Sequence, residues 1–290
     1  MTCQFKKYSL DLHGRLLEIE RPLVMGILNA TPDSFYADSR VLDVGLIAKR
    51  AKEMVEQGAD MLDVGACSTR PGAEVPTAKE ELSRLNLALK AVRNAVGDSV
   101  VLSVDTFRAN VARHCVEDFG VDIINDISAG DLDNEMLPVV AQLDVPYIAM
   151  HMRGTPSTMQ QLTDYDGDVS AVVFEELKRK INSMHQMGIN DVIADPGFGF
   201  GKTLEQNYRL LACLEDFHAL NVPLLVGVSR KSMIQKVLNC SADEALNGTT
   251  VINTISLMKG AHILRVHDVK AAVEAIDLVS FTRKQENFSL

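Results

Sequence analysis

Cysteine is sparse and unpatterned in this chain. Among 290 residues there are five, Cys3, Cys67, Cys115, Cys213 and Cys240, and no two form a C-x-x-C pair. An odd, scattered set excludes a disulfide framework and a zinc knuckle and fits a reducing compartment, so a cytoplasmic location is expected. The opening MTCQFKKYSLDLHGR has lysines but no apolar core behind them, and no apolar run approaches the ~18 residues of a membrane span. No membrane partner is expected. Excess positive charge is missing as well: 29 Lys and Arg face 39 Asp and Glu, for a net charge of -10. That balance argues against nucleic acid as a partner and means that an anionic substrate needs a local cationic pocket. Low-complexity tracts and Pro/Ser/Gly-rich linkers are also absent, so one domain over 1–290 is expected.

Nucleotide-binding fingerprints are lacking too. The stretch DPGFGFGKT (195–203) comes nearest, but the position five before Gly201 is Pro196, which has no N–H to offer a phosphate. Gly197, Gly199 and Gly201 also miss G-x-G-x-x-G by one residue. The stretch needs another explanation.

What is present is a recurring phrase. A helical pattern ends in glycine, one or two residues follow, and a short apolar run ends in a polar side chain: EQGAD then MLDVG, EDFGVD then IIND, HQMGIND then VIAD, MKGAH then ILRVH. Glycine past a helix is a left-handed cap, and a short apolar run so bounded reads as a strand buried on both faces. Eight such runs lie at 23–28, 61–65, 100–104, 121–125, 146–150, 191–195, 223–227 and 262–266. Helical spacing fills the intervals, as in Ile47, Ala51, Met54 and Val55 or Val173, Leu177, Ile181 and Met184. Eight strands alternating with helices predict an α/β (β/α)8 TIM barrel over 23–285, preceded by a β-hairpin over 1–22 that plugs its lower end. A doubly wound open sheet is the alternative. The 12 methionines are assigned mainly to packing of helices on the barrel.

Barrel enzymes work at the C-terminal ends of their strands. There the runs deliver Asn29, Asp63, Asp105, Asn125, His151, Asp195, the cluster Ser229, Arg230, Lys231 and Ser232, and finally Arg265 with His267. Each alone could be a helix cap or a satisfied core residue. Together they have a chemical shape. Asp105, Asn125 and Asp195 suit a flat, nitrogen-rich heterocycle, while Lys231, Arg265 and His267 suit an anionic leaving group. Two turn-rich loops, TPDSFYADSR and CSTRPGAEVP, are able to close over such a site.

Eight stretches in order resemble the dihydropteroate synthases: GILNATPDSF (26–35), CSTRPGA (67–73), SVDTFR (103–108), IINDIS (123–128), MHMRGTPSTMQ (150–160), DPGFGFGKT (195–203), VGVSRKSMI (226–234) and ILRVHDVK (263–270). The resemblance implies condensation of p-aminobenzoate with 7,8-dihydropterin-6-ylmethyl diphosphate, through SN1-like C–O cleavage, with Mg2+ as cofactor. It implies a pterin site of Asp105, Asn125, Met150, Asp195 and Lys231. A p-aminobenzoate site would comprise Phe35, Thr69, Arg70, Pro71, Phe200 and Ser232, with the carboxylate at the N-terminus of a helix opening at Lys231 and Ser232. Asn29 would meet the metal and the diphosphate, and Arg265 and His267 would complete the anion pocket. Asp105, Lys231, Arg265 and His267 would carry the chemistry. The glycine-rich turn would be a rim loop holding Asp195, with Lys202 no phosphate lysine. The resemblance further implies a homodimer through outer helices.

Departures exist. After TPDSF the family commonly has one residue and then Asp-Gly-Gly, whereas Tyr36, Ala37, Asp38 and Ser39 stand here, so Asp38 receives no role. Ala66 and Cys67 replace the usual Gly-Glu, and Cys67 is assigned to packing rather than reactivity. A pterin-binding methyltransferase and a catalytically inactive pterin-binding paralogue remain as alternative functions. The first would not need STRPG or SRKS, and the second should have lost some of Asn29, Lys231, Arg265 or His267.

Overall fold

The computed structural model describes residues 5–30, 40–67 and 75–286. Strands β1 (Tyr8–Leu12) and β2 (Arg15–Ile19) pair antiparallel, with Leu12 opposite Arg15. His13 and Gly14 between them have φ of 54° and 83°, the two-residue hairpin turn whose twist matches that of its strands.

Eight parallel strands follow: β3 (Leu23–Asn29), β4 (Met61–Gly65), β5 (Val101–Asp105), β6 (Ile123–Asp126), β7 (Tyr147–Met150), β8 (Val192–Asp195), β9 (Leu225–Val226) and β10 (Ile263–Val266). Their order is β8-β7-β6-β5-β4-β3-β10-β9. A parallel bridge between Ala194 and Leu224 brings the two edges together, with Ala194 N–H donating to Pro223 O at 2.9 Å. The sheet therefore closes as a barrel, and the open doubly wound alternative is overturned. All eight expected runs become strands, but their bounds differ. The run at 223–227 shrinks to Leu225–Val226, because Pro223 has no N–H to pair and the ladder to β10 joins only Leu225 to Ile263 and Val226 to Leu264.

Alternation divides each strand between two surroundings. Leu62 and Val64 of β4 face outward into the layer of helices, whereas Met61 faces the barrel interior. There Met61 meets Met25, Val101, Ile123, Ile148 and Ile193, and Leu10, Leu12 and Ile19 of the hairpin close the layer from below. The hairpin is thus the expected plug. The methionines divide likewise: Met54, Met136, Met184 and Met233 pack between helices and barrel as expected, but Met25 and Met61 fill the interior, and Met150, Met152 and Met159 form an apolar cluster with Ile127 near the upper rim.

Helices α1 (Arg40–Glu56), α2 (Ala78–Val96), α3 (Ala109–Phe119), α4 (Met136–Leu143), α5 (Val169–Gln186), α6 (Leu204–Ala212), α7 (Ser232–Leu238), α8 (Leu246–Met258) and α9 (Val269–Glu286) occupy the intervals. Their ends are written locally. Thr77 with Glu80 and Thr203 with Gln206 form capping boxes at the starts of α2 and α6, and Gly120 ends α3 in the left-handed conformation. Among the described residues no helix is long and apolar enough to cross a membrane.

Candidate active site

Above the apolar layer the barrel interior turns polar, and Asp63 stands at its centre, fully buried. Its Oδ1 accepts the Ser103 hydroxyl at 2.6 Å, and its Oδ2 accepts Asn125 Nδ2 at 2.9 Å and Arg265 Nε at 2.6 Å. Arg265 also donates Nη2 to Asp105 Oδ2 at 2.8 Å. One guanidinium therefore lies between two carboxylates from β4 and β5. Burial opposes its charge, and Asp63 and Asp105 more than restore it, so the Arg265 pKa is raised. Asp105 is raised as well: burial dominates, Arg265 opposes it, and the neighbouring carboxylates add to it. The bond from Asn125 Nδ2 fixes the amide with its oxygen left as an acceptor.

The IINDIS segment shows why adjacent residues part company. Asn125 points into the barrel, while Asp126 points away and accepts Ser128 N–H at 2.8 Å, Gly130 N–H at 2.8 Å and the Tyr147 hydroxyl at 2.6 Å. The second residue ties down the turn that follows the first.

Across the barrel, Asp195 ends β8 and is 6% exposed. Burial raises its pKa, with Lys231 as the main opposing charge. Its Oδ1 accepts Gly197 N–H at 2.8 Å, and its Oδ2 has no partner among the described residues. Gly197 has φ of 73°, and a Cβ there would lie 2.0 Å from His151 O, so no other residue fits. The glycine-rich turn is a rim loop built around this carboxylate, as expected, and Lys202 lies beneath it with its ammonium buried. Lys231 donates to Phe198 O at 2.6 Å and stands 4.8 Å from the centre of the Phe200 ring. Burial lowers its pKa to about 8, with Asp195 acting in the opposite sense. Met150 belongs to the apolar cluster on this side, against which Phe200 packs.

At the remaining edge, the Ser229 hydroxyl accepts His267 N–H at 3.1 Å and lies 3.0 Å from His267 Nδ1. Arg230, at φ of 56°, turns away from this pair and grips both oxygens of Asp268 at 2.8 Å. The next residue, Lys231, turns back, and α7 opens at Ser232 with no side-chain oxygen capping it. Asn29 ends β3 exposed. His151 leaves the rim set: it is buried, with Nε2 2.8 Å from Glu176 Oε2. Phe35, Thr69, Arg70 and Pro71, like Asp38, lie outside the described residues. Burial pushes the Cys67 thiol up to about 11, which suits a packing role and not a nucleophile.

Among the described residues no group of three or more His, Cys, Asp or Glu is arranged to hold a metal. Mg2+ keeps water and takes phosphate oxygens alongside one or two protein oxygens, so a site for it needs no such group. Asn29 offers one such oxygen.

Sequence reasoning missed two supports. It placed Asp63 on the rim without a role, although Asp63 organises Asn125 and Arg265. It passed over Glu81, fully buried on α2, which accepts the Thr106 hydroxyl at 2.7 Å and pairs with Arg108, bracing the SVDTFR segment. Nothing local in the sequence marks Glu81, because its burial is set by tertiary packing.

A family model described as pterin binding enzyme matches residues 25–267. The dihydropteroate synthase of Escherichia coli (strain K12) is 44% identical over 276 residues, covering 94% of this chain and 96% of that protein. Among solved structures, the Yersinia pestis dihydropteroate synthase with a sulfonamide drug complex superposes with a TM-score of 0.88 at 39% identity, covering 96% of this chain and 100% of that one. The Xanthomonas albilineans dihydropteroate synthase with 4-aminobenzoic acid gives 0.87 at 37% identity, covering 96% and 99%. With its closed barrel and its polar C-terminal rim, the chain belongs to the dihydropteroate synthase family of pterin binding enzymes.

Proposed function

We propose that this chain joins p-aminobenzoate to 7,8-dihydropterin-6-ylmethyl diphosphate, releasing diphosphate and forming 7,8-dihydropteroate, a transferase step of folate biosynthesis. One observation carries the reading: a single polar layer holds acceptors for a pterin edge, Asp105, Asn125 and Asp195, beside the cations Lys231 and Arg265. Asp195, with Oδ2 open, takes the 2-amino and N3–H edge of the ring. Asn125 and Asp105 hold the other ring nitrogens, Lys231 donates to the ring acceptors, and Met150 supplies an apolar face.

The p-aminobenzoate amine is a weak nucleophile, so ionisation of the CH2–O bond sets the rate. Arg265 and His267 receive the departing diphosphate, and the acidic pterin pocket tolerates the positive charge left on the substrate. Asn29 would contribute to holding Mg2+, which when bound neutralises charge on the diphosphate. Phe200 and Ser232 face p-aminobenzoate, with Phe35, Thr69, Arg70 and Pro71 completing its pocket. Sulfonamides, seen with the Yersinia relative, would compete with p-aminobenzoate at this place.

The test is turnover of the purified protein with both substrates and Mg2+, with and without EDTA. Equal amounts of dihydropteroate and diphosphate, lost on chelation, are expected. Pterin binding without product would favour an inactive paralogue or a methyltransferase instead.

We assign the working form as a homodimer. Supporting this, the adjacent outer helices α8 and α9 leave Val251 50%, Leu278 71% and Phe281 66% exposed, an apolar face suited to a second copy of itself. Sedimentation velocity should give a dimer that Phe281→Glu converts to monomer. A monomeric wild type would sink the assignment.

A further inference from the structure

The ammonium beneath the glycine-rich turn has no part in the chemistry above. Lys202 is 4% exposed, and its Nζ lies 2.9 Å from Gly197 O, 3.0 Å from Phe200 O and 3.1 Å from His151 Nδ1. An ammonium has three protons and no acceptor, so these three partners use it completely. His151 is held ready for its share. Its Nε2–H donates to Glu176 Oε2 at 2.8 Å, which leaves the lone pair on Nδ1, and Glu176 is in turn held by Arg153 Nη2 at 2.6 Å. Burial lowers the His151 pKa to about 4, so the ring stays neutral and able to accept.

The two carbonyls that Lys202 grips belong to the turn that presents the substrate-facing groups. Gly197 N–H donates to Asp195 Oδ1 at 2.8 Å, Phe200 N–H returns to Gly197 O at 3.2 Å, and Phe198 O between them accepts Lys231 Nζ at 2.6 Å. The pterin carboxylate, the Phe200 ring and the Lys231 ammonium are therefore all referred to one short loop. Lys202 is the cation that holds that loop from below.

We propose that Lys202 is a positioning residue of the synthase reaction, its charged form fixing the glycine-rich turn so that Asp195, Phe200 and Lys231 stand where the two substrates need them. The inference rests on the site assignment given above. A neutral amine would bring two protons to three acceptors and leave one buried acceptor unmet. Burial draws the Lys202 pKa down to about 7; Asp195 on β8 and Glu176 on α5 favour the charged form, while Lys231 and Arg153 oppose it. Loss of the proton therefore falls near neutral pH.

Lys202→Met keeps a long apolar stem and removes all three donors. Measured per folded enzyme, kcat/KM is expected to fall at least about tenfold for the pterin diphosphate and to fall also for p-aminobenzoate. A lowered melting temperature with both constants unchanged would reduce Lys202 to a structural strut and overturn the proposal. Glu176→Gln provides a second arm if the first variant does not fold. It touches neither substrate and keeps an acceptor for His151, yet it removes a charge that favours protonated Lys202 and is not among those acting on Lys231. The alkaline limb of kcat/KM should then move to lower pH, and a limb in the wild-type place would also overturn the proposal. Wild type and Asp195→Asn run in parallel. An inactive wild type, or Asp195→Asn with full activity, would sink the site assignment itself; normal behaviour of both beside an unaffected Lys202→Met would sink only the positioning role.

Discussion

Asp63 accepts hydrogen bonds from three side chains on three other strands, and its removal should be felt by all of them. Asp63→Asn would remove the negative charge beside Arg265 and leave that part-buried cation with Asp105 as its one carboxylate partner. A loss of about 3 kcal/mol in stability is expected from breaking a buried pair, together with a lower kcat, read by urea unfolding and steady-state assay. Asp195 differs because its Oδ2 is open, and the proposed function gives that oxygen to the pterin. Asp195→Asn should weaken pterin binding by at least ~1.4 kcal/mol, tenfold, with little change in melting temperature, since an amide cannot accept two N–H groups through both of its heavy atoms. Titration with a pterin analogue checks this, and unchanged affinity would refute the role. The polar residues at strand ends were legible because strand ends in a barrel are one rim. Asp63 was not assigned, because a residue two positions below the rim announces itself only through partners that are 40, 62 and 202 residues away.

At the scale of elements, the glycine-rich turn is the part whose form is least negotiable. Gly197→Ala places a methyl against the backbone of another strand's exit, at a left-handed φ that alanine also resists. Pterin binding should be lost while far-UV circular dichroism still reports an intact barrel; retention of tight binding would show that the loop can shift without harm. Sequence pattern located this turn and excluded it as a phosphate loop. It could not place Lys202, because a lysine two residues past a phenylalanine in a polar loop is ordinarily solvated. Only the neighbouring β7 exit, with His151 and the Glu176 behind it, provides a buried socket. β9 was overextended for a similar reason, since PLLVG reads as a strand although its pairing depends on how the barrel closes.

For the whole molecule, the seam between the hairpin and the barrel runs through His262. This fully buried imidazole accepts Leu224 N–H on Nδ1 at 3.0 Å and lies 3.1 Å from Lys6 O through Nε2, joining the N-terminal segment to the closing edge. Burial lowers its pKa from 6.5 to about 4. The unfolded chain therefore binds the extra proton between those values, so the ring's contribution is full above pH 6.5 and lost as pH falls toward 4. The stability advantage of wild type over His262→Gln should be about 2 kcal/mol smaller at pH 5 than at pH 7.5, a comparison that cancels the buried carboxylates whose raised pKa values act oppositely. An advantage independent of pH would count against a neutral His262. The sequence by itself determined the eight strands, the helices between them, the hairpin, the acidic balance and the residues delivered to the rim, because periodicity, glycine caps and strand ends are local properties of the chain. Which carboxylate shares Arg265, which lysine is buried under the turn and which methionines fill the interior were decided only by tertiary structure, because hydrogen-bond partners and solvent exclusion are set by segments distant in sequence that closure of the barrel brings together.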